Sequence, residues 1–202
     1  MKAIITTLGL SIIAMLTGCA LVIPPTHYVT TEQPTYDPAM SARIRILTGN
    51  GTGGAAFRPG ESCYKNGFGS DDKTVVVGDG FLSTMKYSSR SVVIGMPKSP
   101  RPTMTVDGLQ FKNMIREYVV PAEKPLAIGM SVNSDFGNYH WSCSAPWVTF
   151  NPQPGQDYDI FLDWRKKSCW LEVRRIDGHG LDESVKVTPA PKCSTEGSSA
   201  TQ

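Results

Sequence analysis

The chain has 202 residues, of which 20 are basic and 18 acidic, and its formal net charge is +2. This length is enough for one compact domain with a sizeable core and is small for two. Because nucleic-acid-binding proteins usually carry a strongly basic surface, the near-neutral charge argues against nucleic acid as a partner.

The first 18 residues have the organisation of an export signal. One basic residue, Lys2, precedes an apolar run from Ala3 to Leu16, which is shorter than the roughly 20 residues that span a bilayer. The run closes in Leu16-Thr17-Gly18-Cys19, which resembles the lipobox of bacterial lipoproteins; the alternative is an ordinary secretory signal that contains a cysteine. The resemblance implies that a diacylglycerol is attached to the Cys19 thiol, that the signal is cut before Cys19, and that the new amino terminus is acylated.

The covalent lipid on Cys19 is the membrane attachment that we expect, and we expect no other cofactor. Several acyl chains on one residue anchor a protein stably, whereas one chain binds a membrane only marginally. In bacterial lipoproteins an aspartate just after the cysteine retains the protein in the inner membrane, but Ala20 follows Cys19 here. The resemblance therefore implies an outer-membrane location, with the domain on the periplasmic side or on the cell surface.

Residues 19–41 are predicted to form a flexible tether, because Pro24, Pro34 and Pro38 interrupt a stretch without a sustained period. The alternative is that part of this segment packs on the domain, which Tyr28 and Tyr36 would favour. The domain is expected to span residues 42–193, and the Ser/Thr-rich residues 194–202 are expected to be disordered.

Alternating apolar residues predict strands throughout the domain. Arg43-Ile44-Arg45-Ile46 is typical of a half-buried strand, Leu126 to Val132 shows the clearest period of two, and residues 157–176 are predicted to form a hairpin. Further short strands are expected at 55–57, 74–77, 81–85, 91–94, 115–120, 148–150 and 185–187. About seven to nine short strands and no convincing helix predict an all-β antiparallel sandwich of the immunoglobulin or prealbumin type, with a barrel as the alternative.

Four cysteines remain after lipid attachment, and an even number in an exported protein indicates two disulfides. Four thiols allow three pairings. We favour Cys143–Cys169, which would join neighbouring strands, and this choice leaves Cys63 with Cys193.

The domain also resembles a group of proteobacterial lipoproteins over residues 42 to about 193. The similar stretches are Ala42 to Ile46, Pro59-Gly60 before Cys63-Tyr64, Ile94 to Pro97, Glu117 to Ala122, Phe150 before Pro154-Gly155 and Tyr158, and the strand at Cys169. This resemblance implies the sandwich and the outer-membrane address, and it carries over no catalytic residue.

Sequence patterns for catalysis and for metal binding are weak. Gly49-x-Gly51-x-x-Gly54 matches a dinucleotide-binding fingerprint, but no helix is predicted after it, so we expect a flexible hairpin loop. The chain has no Gly-x-Ser-x-Gly string and no Cys-x-x-Cys, and its histidines are not paired at metal-ligand spacing. We therefore expect a protein without enzymatic activity and without a metal.

Two charged stretches have alternative interpretations. Asp157, Asp159 and Asp163 share one strand face, where they would hold a cation or act as acid and base, but a solvated face is the favoured interpretation. Arg165-Lys166-Lys167 is expected to be a charged hairpin tip, with contact to anionic lipid or glycan as the alternative.

Large aromatic residues are concentrated between positions 136 and 147, in what we predict to be a loop. Its candidate binding residues are Phe136, Tyr139, His140, Trp141 and Trp147. Exposed aromatic side chains suit sugar stacking or a protein-binding hot spot, whereas buried ones would close one end of the sandwich.

The expected function is a non-catalytic binding or scaffold module of the bacterial envelope, with a protein partner in secretion, in assembly or in toxin immunity. The alternative is a lipoprotein that binds peptidoglycan or a surface glycan. A third possibility is an envelope hydrolase that uses His140 and the aspartates, but no sequence motif supports it.

Overall fold

The structure is a computed structural model. It describes residues 27–29, 34–49, 53–65, 72–77, 91–104, 113–136, 139–165 and 168–194. The predicted signal at 1–18, the predicted lipid-attachment residue Cys19, the expected strand at 81–85 and the tail beyond residue 194 lie outside the described residues.

The described residues form thirteen strands and one short turn of 3-10 helix at Pro102–Met104. In chain order the strands are β1 (His27–Val29), β2 (Ser41–Gly49), β3 (Gly53–Pro59), β4 (Val75–Val77), β5 (Ser91–Val93), β6 (Asn113–Pro121), β7 (Leu126–Phe136), β8 (Tyr139–Ser144), β9 (Val148–Phe150), β10 (Asp157–Arg165), β11 (Ser168–Ile176), β12 (Asp182–Ser184) and β13 (Thr188–Pro189). This is more than the seven to nine strands that we expected, because several of them have only two or three residues.

These strands form two sheets, which confirms the predicted all-β sandwich. The first sheet has the order β1-β5-β6-β2-β10-β11-β12, and the second has the order β13-β9-β7-β3-β4, with β8 also paired to β7. Most neighbours are antiparallel, whereas β1–β5, β5–β6 and β2–β10 are parallel pairs.

Alternation along the strands places one apolar face of each sheet in the shared core. In the first sheet Ile44 and Ile160 are fully buried, and in the second sheet Phe57 and Ile128 face them in the same cluster. Each such side chain contributes about 1.5–3 kcal/mol when it leaves water.

The outer face of the first sheet is also covered, by a segment that we call the strap, residues 94–104. Met96 and Met104 of the strap are buried, and so are Ile115 and Phe161 of the sheet. The central strands β2 and β10 are therefore buried on both faces, which the sequence pattern of a half-buried strand did not predict.

Two predictions about connections are wrong. The glycine-rich stretch at 49–54 does not close a hairpin, because β2 belongs to the first sheet and β3 to the second. Residues 185–187 do not form a strand; they link β12 to β13, and Val185 and Val187 pack against the core as partly buried side chains.

Part of the predicted tether lies on the domain, as the alternative interpretation suggested. Strand β1 pairs with β5 at the edge of the first sheet. Nearer to β2, the Arg43 guanidinium lies 4.6 Å from the centre of the Tyr36 ring, and the Met40 carbonyl accepts a hydrogen bond from the Ala122 amide.

Candidate functional site

Two hairpins form one end of the sandwich, which we call the hairpin end. The β7–β8 pairing finishes at Phe136 and Tyr139, and the β10–β11 pairing finishes at Arg165 and Ser168. The sequence predicted a loop from 136 to 147, and this is wrong, because residues 139–144 of that stretch are strand β8.

The disulfide Cys143–Cys169 joins the two hairpins. It connects β8 of the second sheet to β11 of the first, so it crosses between facing sheets and does not join neighbouring strands of one sheet. The predicted pairing of these two cysteines is confirmed, although the bridge links strands of different sheets. Because the bridge lies a few residues from the ends of both hairpins, it holds them at a fixed separation.

Among the described side chains of the hairpin end, the exposed large apolar ones are a pair of tryptophans. Trp141 of β8 is 37% exposed and Trp164 of β10 is 57% exposed, and their ring centres lie 5.6 Å apart with the planes inclined at 61°. Such edge-to-face pairs are favourable and hold both rings in a defined orientation. The pair is an apolar surface that is open to solvent.

Sequence alternation explains why Trp164 points towards the facing sheet. The end of the β2–β10 pairing explains why it remains exposed. Tyr158, Ile160, Leu162 and Trp164 alternate along β10, and the first three are buried or partly buried in the core. Pairing of β10 with β2 runs from Asp157 to Ile160 and goes no further. Trp164 therefore lies beyond the part of β10 that both neighbouring strands flank.

Trp164 was not among the predicted binding residues, since its position in an alternating strand indicates a core side chain. The signal that distinguishes it is its place directly before the basic tripeptide at the turn. A large aromatic residue at the last inward position of a hairpin has few layers of core beyond it.

Trp147 is a packing residue, as the alternative interpretation of the aromatic cluster suggested. Its ring stacks on Tyr64 at 5.4 Å with the planes inclined at 13°, and it covers Gly129 so closely that a Cβ there would lie 2.6 Å from Nε1. The Trp147 carbonyl also accepts a hydrogen bond from the Ala190 amide. Trp147 thus helps to attach the C-terminal segment to the second sheet.

The remaining predicted binding residues lie at the hairpin end by their backbone positions. Phe136 is opposite Tyr139, and His140 is opposite Asp135 in the β7–β8 register. Their side chains lie outside what the structure describes.

The second disulfide, Cys63–Cys193, lies away from the hairpin end and is also confirmed as predicted. It joins the segment after β3 to the last described residues of the chain. Next to it the Cys193 amide donates to the Tyr64 carbonyl, and the Tyr64 amide donates to the Pro191 carbonyl.

Two of the three aspartates of β10, Asp157 and Asp159, are buried, so the predicted solvated face is wrong for them. Asp157 is 7% exposed and Asp159 is fully buried beneath the strap. Arg43 binds Asp157 through two nitrogens, at 2.7 and 2.8 Å, and Arg45 binds Asp159 at 3.0 Å. Asp163 is partly exposed, and its carboxylate accepts a hydrogen bond from the adjacent backbone amide.

Arg45 is the centre of this buried charge cluster, which extends to the strap. Its guanidinium also donates to Glu117 at 2.8 Å and to the Pro97 carbonyl at 2.6 Å. Glu117 in turn accepts from the Ile94 amide at 2.6 Å. The cluster therefore attaches the strap to the sheet, and the strap covers the carboxylates.

Burial raises the pKa of Asp159 above its ordinary value, and the charge of Arg45 opposes this rise. At the strap's far side Arg101 and Arg174 both bind Asp182. Burial opposes ionisation of Asp182 as well, but the hydrogen bonds and charges of the two arginines outweigh it and lower the pKa of this carboxyl. Asp159 and Asp182 are therefore each in contact with arginine side chains, and both form structural ion pairs.

Within the described ranges, no group of three or more Cys, His, Asp and Glu side chains is placed to hold a metal ion. No helix in this part of the chain is long and apolar enough to cross a bilayer. Comparison of the chain with family models, with curated proteins and with solved structures finds no match.

Proposed function

We propose that the chain is a lipoprotein of the bacterial outer membrane that acts as a non-catalytic binding and scaffold module of the envelope. The lipobox-like Leu16-Thr17-Gly18-Cys19 sequence supports the lipid anchor. The two disulfides support export, because disulfides persist in oxidising compartments.

The observation that carries the binding role is the exposed Trp141–Trp164 pair at the hairpin end. Monomeric proteins normally bury such side chains, and tryptophan is among the residues that contribute most to binding at contact surfaces. The Cys143–Cys169 bridge beside the pair reduces its freedom, so little conformational entropy is lost on contact.

A glycan is the second candidate partner, since the same two rings are accessible to sugar. The 61° angle between the ring planes means that the pair offers two separate faces and no single flat platform. This geometry suits a short or branched sugar better than an extended chain lying across both rings.

The anchor is tested by Cys19→Ser. The variant is expected to leave the membrane fraction and to appear in the soluble periplasmic or extracellular fraction, because the lipid is the proposed attachment. Mass spectrometry of the wild-type amino-terminal peptide checks the modification itself. Recovery of an unmodified Cys19 in the exported protein would contradict the proposal.

The binding role is tested by oxidative footprinting of the protein in native outer membranes and after purification in detergent. Trp141 and Trp164 are expected to be protected in native membranes. The matched control is Met40, which is 69% exposed and directly precedes β2, away from the hairpin end. Equal oxidation of the tryptophans in both preparations would argue against any contact at this surface.

A further inference from the structure

The disulfide Cys63–Cys193 has a buried cation against its sulfur atoms. Arg58 of β3 is 2% exposed, and its Nη1 atom lies 3.4 Å from Cys63 Sγ and closer still to Cys193 Sγ. The same nitrogen donates a hydrogen bond to the Cys63 carbonyl at 2.7 Å, which holds the guanidinium beside the bridge.

This contact favours opening of the bridge by a thiol. A disulfide opens when a thiolate attacks one sulfur and the other sulfur leaves as a thiolate. A neighbouring guanidinium stabilises the leaving thiolate, because positive charge favours the ionised form of a thiol. Since Arg58 lies nearer to Cys193 Sγ, Cys193 is the better leaving group and Cys63 is the sulfur that is attacked.

The surroundings of the bridge are accessible and positively charged. Both cysteines are partly exposed, and the exposed lysines Lys65 and Lys192 follow and precede them in the chain. Glu61, the nearest acidic residue along the chain, is paired with Lys73 at 2.6 Å. The positive charge attracts an anionic thiolate towards the bridge.

The bridge also holds the end of the domain, residues 188–193, in place. Strand β13 pairs with β9 through only two residues, and both are exposed. After β13, Tyr64 exchanges backbone hydrogen bonds with Pro191 and Cys193, at 2.9 and 2.8 Å. Because Tyr64 directly follows Cys63, both hydrogen bonds depend on the bridge that keeps the two segments together.

The two disulfides differ in what holds their cysteines. Cys143 lies within β8 and Cys169 within β11, so their thiols would stay close to each other after reduction and would form the bridge again. Cys63 and Cys193 belong to no strand. Once reduced, Cys193 is free to move away from Cys63, which favours the open state.

We propose that Cys63–Cys193 is a thiol–disulfide exchange site for a dithiol reductant, and that its reduction releases residues 188–193 from β9. One thiolate of the dithiol attacks Cys63 Sγ, forms a mixed disulfide and displaces the Cys193 thiolate. The second thiolate of the dithiol then attacks the dithiol's own sulfur in the mixed disulfide, and Cys63 leaves as a thiolate. Two electrons pass from the dithiol to the bridge, and the two protons that the dithiol loses pass to solvent, from which Cys63 takes one.

Release of β13 changes the second sheet at one edge. Strand β9 lies between β13 and β7, so it becomes the edge strand when β13 leaves. The backbone groups of β9 that β13 had covered are then open to pair with another strand. The exchange site does not require the lipid anchor, so failure of either proposal leaves the other standing.

The first test follows the opening of both disulfides in the full-length wild-type protein by dithiothreitol, a dithiol, at pH 7. Free thiols are alkylated, and mass spectrometry quantifies the peptides that contain Cys63, Cys193, Cys143 and Cys169. Cys63–Cys193 is expected to open at least about tenfold faster than Cys143–Cys169, because its leaving thiolate is stabilised. Equal rates, or earlier opening of Cys143–Cys169, would overturn the proposal.

Glutathione, which has a single thiol, tests which sulfur is attacked. The mixed disulfide with glutathione is expected mainly on Cys63, since Cys193 is the leaving group beside Arg58. A mixed disulfide mainly on Cys193 would show that the assignment of the two sulfurs is wrong.

Arg58→Gln tests the role of the charge. The variant keeps a hydrogen-bond donor at position 58 and is expected to open Cys63–Cys193 about tenfold more slowly than the wild type. The matched control is Arg174→Gln, which removes a partly buried arginine of β11 and should leave this rate unchanged. A folded Arg58→Gln protein that opens at the wild-type rate would overturn the role of Arg58. If this variant does not fold, the two wild-type measurements decide the proposal.

Hydrogen exchange measures the release itself. Once Cys63–Cys193 has opened in the wild type, the amides of Ala190 and Cys193 are expected to lose their protection, whereas those of β10 should keep it. Unchanged protection at Ala190 and Cys193 would show that the bridge does not hold this segment on β9.

Discussion

Arg45 is the residue on which the attachment of the strap most depends. Its side chain is 4% exposed and binds Glu117, Asp159 and the Pro97 carbonyl. A buried ion pair contributes little net stability compared with apolar residues of the same shape, but removal of one partner leaves the other charges buried without compensation.

Arg45→Met is therefore expected to lower the free energy of unfolding by about 3–5 kcal/mol. The deficit should shrink on acidification from neutral pH. Without Arg45 the pKa of Asp159, already raised by burial, rises further above its ordinary value, so the folded protein gains relative stability as that carboxyl takes up a proton. Urea unfolding at neutral and mildly acidic pH measures both effects.

The control for this prediction is Arg175→Met, which removes an exposed ion pair with Glu183. Exposed pairs contribute about 0–1 kcal/mol, so this variant should be nearly as stable as the wild type. Equal destabilisation by both exchanges would show that the buried cluster has no special role in holding the strap.

Gly129 tests the packing of Trp147 at the same scale. A Cβ at position 129 would lie 2.6 Å from Trp147 Nε1, which is closer than non-bonded atoms approach. Gly129→Ala is expected to lower the free energy of unfolding by about 1–3 kcal/mol, because the indole must move. A melting-temperature measurement checks this at about 2–4 °C per kcal/mol.

Gly178→Ala provides the comparison, since its Cβ would lie 3.7 Å from Pro97 Cβ, an ordinary contact. Its melting temperature should stay close to that of the wild type. If Gly129→Ala melts at the wild-type temperature with an unchanged tryptophan spectrum, the close stacking over Gly129 is wrong.

At the scale of elements, the two disulfides differ in the length of chain that they close. Cys143–Cys169 spans 26 positions and Cys63–Cys193 spans 130. Loop-closure entropy in the unfolded chain predicts stabilisation of about 3.5 kcal/mol for the first and about 5 kcal/mol for the second. Replacing Cys63 and Cys193 by alanines should therefore destabilise the protein more than replacing Cys143 and Cys169. Urea unfolding under non-reducing conditions measures both effects.

The two removals should also differ in their local effect. Loss of Cys143–Cys169 is expected to increase the exposure of Trp141 and Trp164 to acrylamide, because the bridge holds the hairpins at a fixed separation. Loss of Cys63–Cys193 should leave that exposure unchanged and loosen the C-terminal segment. Identical quenching curves for the two double variants would contradict the local role of the first bridge.

At the scale of the whole molecule, the two sheets bury side chains against each other, and the strap buries side chains against the first sheet. We therefore expect the sheets and the strap to unfold together. Far-UV circular dichroism and tryptophan fluorescence should report the same midpoint in urea, as in a two-state transition. A fluorescence change at lower urea than the loss of strand signal would instead show that the hairpin end opens as a separate unit. With both disulfides reduced, such a separation is expected.

The sequence by itself determined most of the longer strand-forming segments and hence the class of fold. Strand β9 was predicted with its observed bounds, and β7 and β10 were predicted from their period of two, because alternation depends on which face of a single strand is buried. The disulfide pairing was favoured among three possibilities, and only the approach of β8 to β11 selects it.

Only the tertiary structure decided which charged and aromatic residues are buried. Asp159 and Trp164 lie on the same strand, yet the aspartate is fully buried and the tryptophan exposed, against the usual preference of both residues. The physical reason is that burial depends on distant parts of the chain. The strap covers Asp159, whose partner Arg45 lies 114 positions away, whereas β2 does not continue beside Trp164.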